Sequence, residues 1–195
     1  QTCALPIFEA VVPYARAAVD DLLGGPQESY CAPRTARRMA MAAWRRAQDL
    51  GAPADRAVGA AVSAALASRE PKRGDHRVIV AVQTLAATAC VEVTLEKAAR
   101  SRAAEEEIAA AILLDALAAE CGDPADMAAG LLRPIEAIRK ERVEAPPEWR
   151  RLAAGESRSA AGSTASPPVP RAGALAFPGS FDPLDRKSTR LNSSH

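Results

Sequence analysis

The chain predicts an α/β layered sandwich, and three stretches carry that reading. Val78-Ile79-Val80-Ala81-Val82 is a continuous and mostly β-branched run, the pattern of a central strand. Thr88 to Leu95 alternates, with Val91, Val93 and Leu95 set against Glu92 and Thr94, as a strand with one wet face does. Its nearness to the first run predicts an antiparallel hairpin. Apolar residues between Ala36 and Leu50 recur at three and four, the period of a helix with one buried side. Alternating strands and helices that include a hairpin pack as layers.

Taken in order, Glu9 to Tyr14 is a short apolar run that reads as a strand, followed by a helix through Leu22 and Leu23. Gly24-Gly25-Pro26 stops that helix, because glycine suits the position after a C-cap and proline cannot continue a helix. Pro33 opens the next one in the first turn, where its missing N–H costs nothing. That helix runs to Leu50 with Ala36, Met39, Ala40, Ala43, Ala47 and Leu50 inward and Trp44 at the edge. Val58 to Ala67 reads as a buried strand of small residues, and Arg69 to Asp75 as a polar loop. His76 to Thr84 holds the central-strand run Val78 to Val82. Ser101 begins a long helix to Cys121, with Glu105, Glu106 and Glu107 near its positive end. Ile108, Ile112, Leu113, Leu114 and Leu117 spread round the helix and predict heavy covering. Met127 to Leu132 reads as a turn or short helix, Ile135 to Val143 as a charged helix, and Trp149 with Leu152 as a short amphipathic piece.

Composition narrows the function classes. The 195 residues suffice for one ordinary domain and part of another. Apolar residues make up 48%, but alanine supplies much of that and aromatics are 4%, so layers must approach closely to bury enough area. A net charge of +1 gives no electrostatic case for nucleic acid. No apolar run reaches the roughly 20 residues of a membrane span, so no membrane partner is expected. Cys31, Cys90 and Cys121 lie far apart without a Cys-x-x-Cys pair, which predicts no zinc or other metal site. The fourth cysteine, Cys3, falls in an N-terminal stretch that resembles translated adapter, and the sparse, odd set that remains fits a reducing cytoplasm.

Few residues stand out chemically. Tyr14 is either a pocket residue or a strand-end aromatic. Lys72, Arg73 and Gly74 form either a phosphate-binding loop or an exposed basic turn. Ser63 and Thr84 either line one end of the sheet or are satisfied strand hydroxyls. His76 reads as a loop residue beside Asp75 rather than a general base. Arg34, Arg37, Arg38, Arg45 and Arg46 read as the solvated face of a helix, since no aromatic interleaving accompanies them.

From Glu9 to about Leu152 the chain resembles the C-terminal domain of the competence-damage protein CinA, a family that includes nicotinamide-nucleotide amidohydrolases. The resemblance is carried by Val11-Val12-Pro13-Tyr14, by Thr35-Ala36-Arg37-Arg38-Met39-Ala40, and by Pro71-Lys72-Arg73-Gly74 leading into the Val78 to Val82 strand. It implies a three-layer α/β/α sandwich with a mixed sheet, a nucleotide-type small-molecule ligand, and association into a homo-oligomer. The family's nucleophilic serine lies in a Ser-Cys-Thr-Gly-Gly stretch before the Val-Val-x-Tyr strand, a region expected to be cut off here. The family also carries a lysine five residues after the tyrosine. Tyr14 matches that tyrosine, yet position 19 is Val19. A lysine-assisted serine needs both groups in contact, so the resemblance implies a degenerate hydrolytic site. An active amidohydrolase and a non-enzymatic interaction module are the competing expectations.

A second resemblance covers Leu175 to Leu184. Phe177-Pro178-Gly179-Ser180-Phe181-Asp182-Pro183-Leu184 is similar to the opening of the Gly-Ser-Phe-Asp-Pro-x-His-x-Gly-His motif of cytidylyltransferases and nicotinamide-nucleotide adenylyltransferases. It implies the first strand of a truncated Rossmann-like domain, in which Gly179, Ser180 and Asp182 bind nucleotide through a loop at a strand end. The catalytic histidines would follow Leu184 and are absent. A nucleoside triphosphate with Mg²⁺ is expected for the complete transferase domain, and no cofactor for this fragment. Residues 1–7 and 185–195 resemble translated sequencing adapter and are not read as part of the fold. The expected organisation is therefore a CinA-like domain over 8–155, a flexible Ser/Ala/Gly/Pro linker over 156–173, and the start of a nucleotidyltransferase over 174–184. The whole would be a piece of a bacterial two-domain protein.

Overall fold

A computed structural model describes residues 7–69 and 73–158. The chain divides into two compact units between Glu144 and Ala145. The first contains α1 (Arg16–Leu23), α2 (Pro33–Asp49), β1 (Gly59–Ala65), β2 (His76–Gln83), β3 (Ala87–Leu95), α3 (Arg102–Glu120) and β4 (Ile138–Glu144). The second contains α4 (Pro147–Ala153), which holds Trp149 and Leu152 and ends at Gly155 in the left-handed region.

The sheet is a meander in the order β1-β2-β3-β4. All three pairings are antiparallel, where the sequence reading expected a mixed sheet. For β2 and β3 the connection explains this: three residues cannot return a chain to a parallel register, and the turn is closed by Thr84, whose hydroxyl oxygen accepts from the Ala86 and Ala87 amides. The layers are those of an α/β sandwich. Val78, Val80 and Val82 of β2 pack with β3, Ile108 and Ile112 on the α3 side. Ile79 and Ala81 pack with Ala36 and Ala40 of α2 on the other. All five β2 residues from Val78 to Val82 are fully buried, which is why that run lacks polar alternation.

Three expectations are corrected. Glu9 to Tyr14 is not a strand, and it pairs with no ladder among the described residues. Ile135 to Val143 is not a helix; its larger part is β4, paired with Ala87–Val93. The charges of β4 sit on a sheet edge, where they protect unpaired backbone groups from other chains. Their run of alternating sign mimics a solvated helix face. In α2 the buried residues are Thr35, Ala36, Ala40, Trp44 and Ala47, while Ala43 and Leu50 are exposed. Trp44 thus belongs to the core and not to the edge. It packs with Ala47, Ala52 and Ala57.

Gly59 makes that packing attainable. A β-carbon there would overlap the Ala40 carbonyl oxygen and the Trp44 backbone nitrogen, so β1 meets the bare backbone of α2. Replacing Gly59 with alanine forces the two layers apart. The expected loss is about 1–3 kcal/mol of stability by urea unfolding. Gly74→Ala is the control: no atom lies within 4 Å of a β-carbon at Gly74, so it is expected to be near neutral.

A buried carboxylate fixes the far side of the sheet. Glu136 accepts from the Glu96 amide at 2.6 Å, the Arg133 amide at 2.9 Å, and both terminal nitrogens of Arg100 at 2.7 and 2.8 Å. Burial pushes its pKa up, but the Arg100 fork and the two amides outweigh burial and hold the group down to about 2. A carboxyl group depressed in the folded state stabilises above its unfolded pKa and loses that contribution as pH falls through the folded value. About 3 kcal/mol should therefore disappear between pH 4.5 and 2. Urea unfolding across that range reads the loss, and Glu136→Gln should flatten this part of the profile.

Candidate functional site

The chemistry-bearing residues of the first unit do not converge on one cleft. Tyr14 is 90% exposed on the segment before α1. Ser63 lies in the middle of β1, opposite Ile79, and its hydroxyl donates to the Tyr30 carbonyl. The Ser63 carbonyl in turn accepts from the Cys31 thiol at 3.8 Å. These bonds fasten the α1–α2 connection along the β1 edge. Tyr30 is itself fixed, donating to Asp20 at 2.9 Å with Arg16 over its ring at 5.3 Å. Ser63 is therefore a satisfied strand hydroxyl. Thr84 lies beyond the Gly59–Gln83 pair, at the other end of β1 from Ala65, and closes a turn. The structure thus separates Ser63 from Thr84.

Arg73 and Gly74 are exposed in the β1–β2 connection. The Arg73 carbonyl accepts from the Lys97 ammonium at 2.9 Å, and open space surrounds Gly74. Lys72, Gly179, Ser180 and Asp182 lie outside the described residues.

Two residues that sequence reasoning did not select meet at the base of this connection. His76 is the first residue of β2 and is buried, not a loop residue. Its Nδ1 lies 2.7 Å from Oε1 of Glu105, a side chain with no exposed surface. The other Glu105 oxygen accepts from the Ala67 amide at 2.6 Å. With Nδ1 donating, the carboxyl group is satisfied on both oxygens. The signal was present in the spacing. Glu105, Ile108, Ile112 and Ala116 follow one helical stripe, and all four are buried. His76, Val78, Val80 and Val82 alternate onto the face that meets that stripe. Ser101 caps the helix, its hydroxyl accepting from the Ala104 amide at 3.3 Å.

Elsewhere the polar groups are engaged in holding the fold. A cleft of about 240 Å³ opens before α2, lined by Glu28, Ser29, Arg34, Thr35 and Arg38 among others. Within its lining Arg38 donates to the Gln27 side chain at 2.8 Å and to the Leu23 carbonyl at 2.7 Å. Arg37 pairs with Glu141 at 2.8 Å and Arg46 with Glu9 at 2.9 Å. Burial raises the thiols of Cys31 and Cys90 above the usual cysteine range, against smaller lowering by Arg77 and Arg37 respectively. Burial thus favours the protonated thiol at both positions. Among the described residues no three His, Cys, Asp or Glu side chains are grouped to hold a metal ion. No described helix is long and apolar enough to cross a membrane.

Val19 occupies the position five residues after Tyr14. It is the one buried residue of α1 and serves packing. Compared with protein-family models, curated proteins and solved structures, the chain matches none.

Proposed function

We propose that the first unit is a nucleotide-binding domain that does not hydrolyse amides. It would work within a bacterial two-domain protein whose second domain transfers a nucleotidyl group to a phosphate-bearing acceptor, such as nicotinate or nicotinamide mononucleotide. The observation that carries the non-hydrolytic part is Val19. Where the CinA-like pattern needs a lysine beside its nucleophile, this chain has a buried apolar side chain inside α1. Helices on both faces of the sheet are a feature that the CinA-like reading shares with α/β sandwiches in general. In this reading the ligand's phosphate meets the β1–β2 connection, where the Arg73 charge and the open surroundings of Gly74 admit close backbone approach. Gly179, Ser180 and Asp182 would belong to the transferase half.

A second reading, an assembly module, is favoured by one feature. Val11, Val12 and Tyr14 are between 60% and 90% exposed along the segment before α1, and such a run commonly marks an interface.

Titration with nicotinamide mononucleotide, followed both by calorimetry and by an ammonia assay, separates the readings. Heat of binding without ammonia is expected. Ammonia release would establish hydrolysis instead. The absence of both signals, with self-association on light scattering that Val12→Lys abolishes, would leave the assembly module.

A further inference from the structure

We propose that the outer edge of β4 is a docking site for an extended acidic segment of another protein, which joins the four-stranded sheet as a further strand. An open antiparallel sheet ends in two rows of unpaired N–H and C=O groups. One of these rows is covered here. Along β1 the Ser63 hydroxyl donates to the Tyr30 carbonyl and the Ser63 carbonyl accepts from the Cys31 thiol, so the α1–α2 connection lies against that edge. β4 is the other end of the sheet, with β3 on one side and no ladder partner on the other among the described residues. Outside the β3 ladder no described group bonds to its backbone from Arg139 to Arg142, and all four of these residues are exposed.

Charge decides what such an edge admits. Glu141 is engaged by Arg37 at 2.8 Å, and Arg142 by Glu120 at 2.9 Å and Glu144 at 3.0 Å. Arg139 and Lys140 have no ion-pair partner among the described residues. Glu92, opposite Arg139 on β3, lies 3.9 Å from Arg77 instead. Consecutive residues of a strand point to opposite faces, so one uncompensated cation stands at the edge on each face of the sheet. A second copy pairing antiparallel about any residue from Arg139 to Arg142 would set that charged side chain against its own like charge, which is destabilising. A strand with two adjacent carboxylates meets both cations, one on each face, while its backbone completes the ladder. Main-chain hydrogen bonds then supply the affinity and the cations supply the selectivity.

The test uses the full chain and a fluorescein-labelled eight-residue peptide of threonine and valine with two adjacent glutamates at its centre, read by fluorescence anisotropy and amide hydrogen exchange. The acidic peptide should bind, slow exchange over 139–142 and leave β1 unchanged. The same peptide with two lysines at the centre should not bind. Methylating the backbone nitrogens of one alternate set of its residues should abolish binding of the acidic peptide, since those N–H groups build the ladder. Arg139→Glu combined with Lys140→Glu should reverse the preference, taking the lysine peptide and losing the acidic one by about tenfold or more. Both side chains are exposed, so the fold should stand. If the double variant does not fold, Lys140→Gln carries the comparison, with an expected loss of about threefold. Failure of the acidic peptide to bind would overturn the proposal. So would equal binding of the two peptides, binding indifferent to methylation of either alternate set, or an acidic-peptide affinity unchanged by the charge variants.

Discussion

Close approach of backbones is the constraint on which this fold depends. With aromatics at 4% and alanine supplying nearly half of the apolar content, each buried side chain removes little area from water, so the layers must lie near one another to compensate. Ala36 and Ala40 of α2 are wholly buried, and Gly59 meets the same helix with no side chain at all. The opposite face is built differently. Val78, Val80 and Val82 meet Ile108 and Ile112, larger and branched residues that fill a wider gap. β2 is covered on both sides for this reason, and its neighbours take their register from it.

Two buried carboxyl groups do what an aliphatic core cannot. Glu105 and Glu136 each accept backbone amides from segments without regular structure, and each takes a side-chain donor as well. An amide buried in a connection needs a partner, and these groups provide one where no strand or helix does. Glu105 serves the connection before β2, and Glu136 serves those on either side of α3. Burial of each group is tolerated because its oxygens are satisfied. The chain thus combines a closely packed, alanine-rich core with a few polar ties.

The same economy bears on function. Ser63 and Thr84 spend their hydroxyls on backbone carbonyls and amides, the arginines of α2 reach acidic and amide partners, and Cys31 and Cys90 are kept protonated by burial. Among the described residues of the first unit, Arg73 and Gly74, the cleft before α2 and the apolar side chains before α1 remain exposed.

Sequence alone determined the elements with strong internal pattern. The β2 run, the alternation of β3, the Pro33 start of α2 and the Gly24 stop of α1 all stand where periodicity and turn chemistry put them, because each depends on residues close in the chain. Tertiary structure decided the rest. β4 is a strand because β3 offers it a ladder along Ala87–Val93, a partner that no local pattern can announce. Trp44 is core because Gly59, fifteen positions away, leaves room for its helix to approach. Of the candidate site, Arg73 and Gly74 were legible as an exposed basic turn, whereas the His76–Glu105 contact joins residues 29 apart. Each sits on a predictable face, but only the packing of α3 on the sheet brings those faces together, and no spacing along a chain encodes a distance between two surfaces.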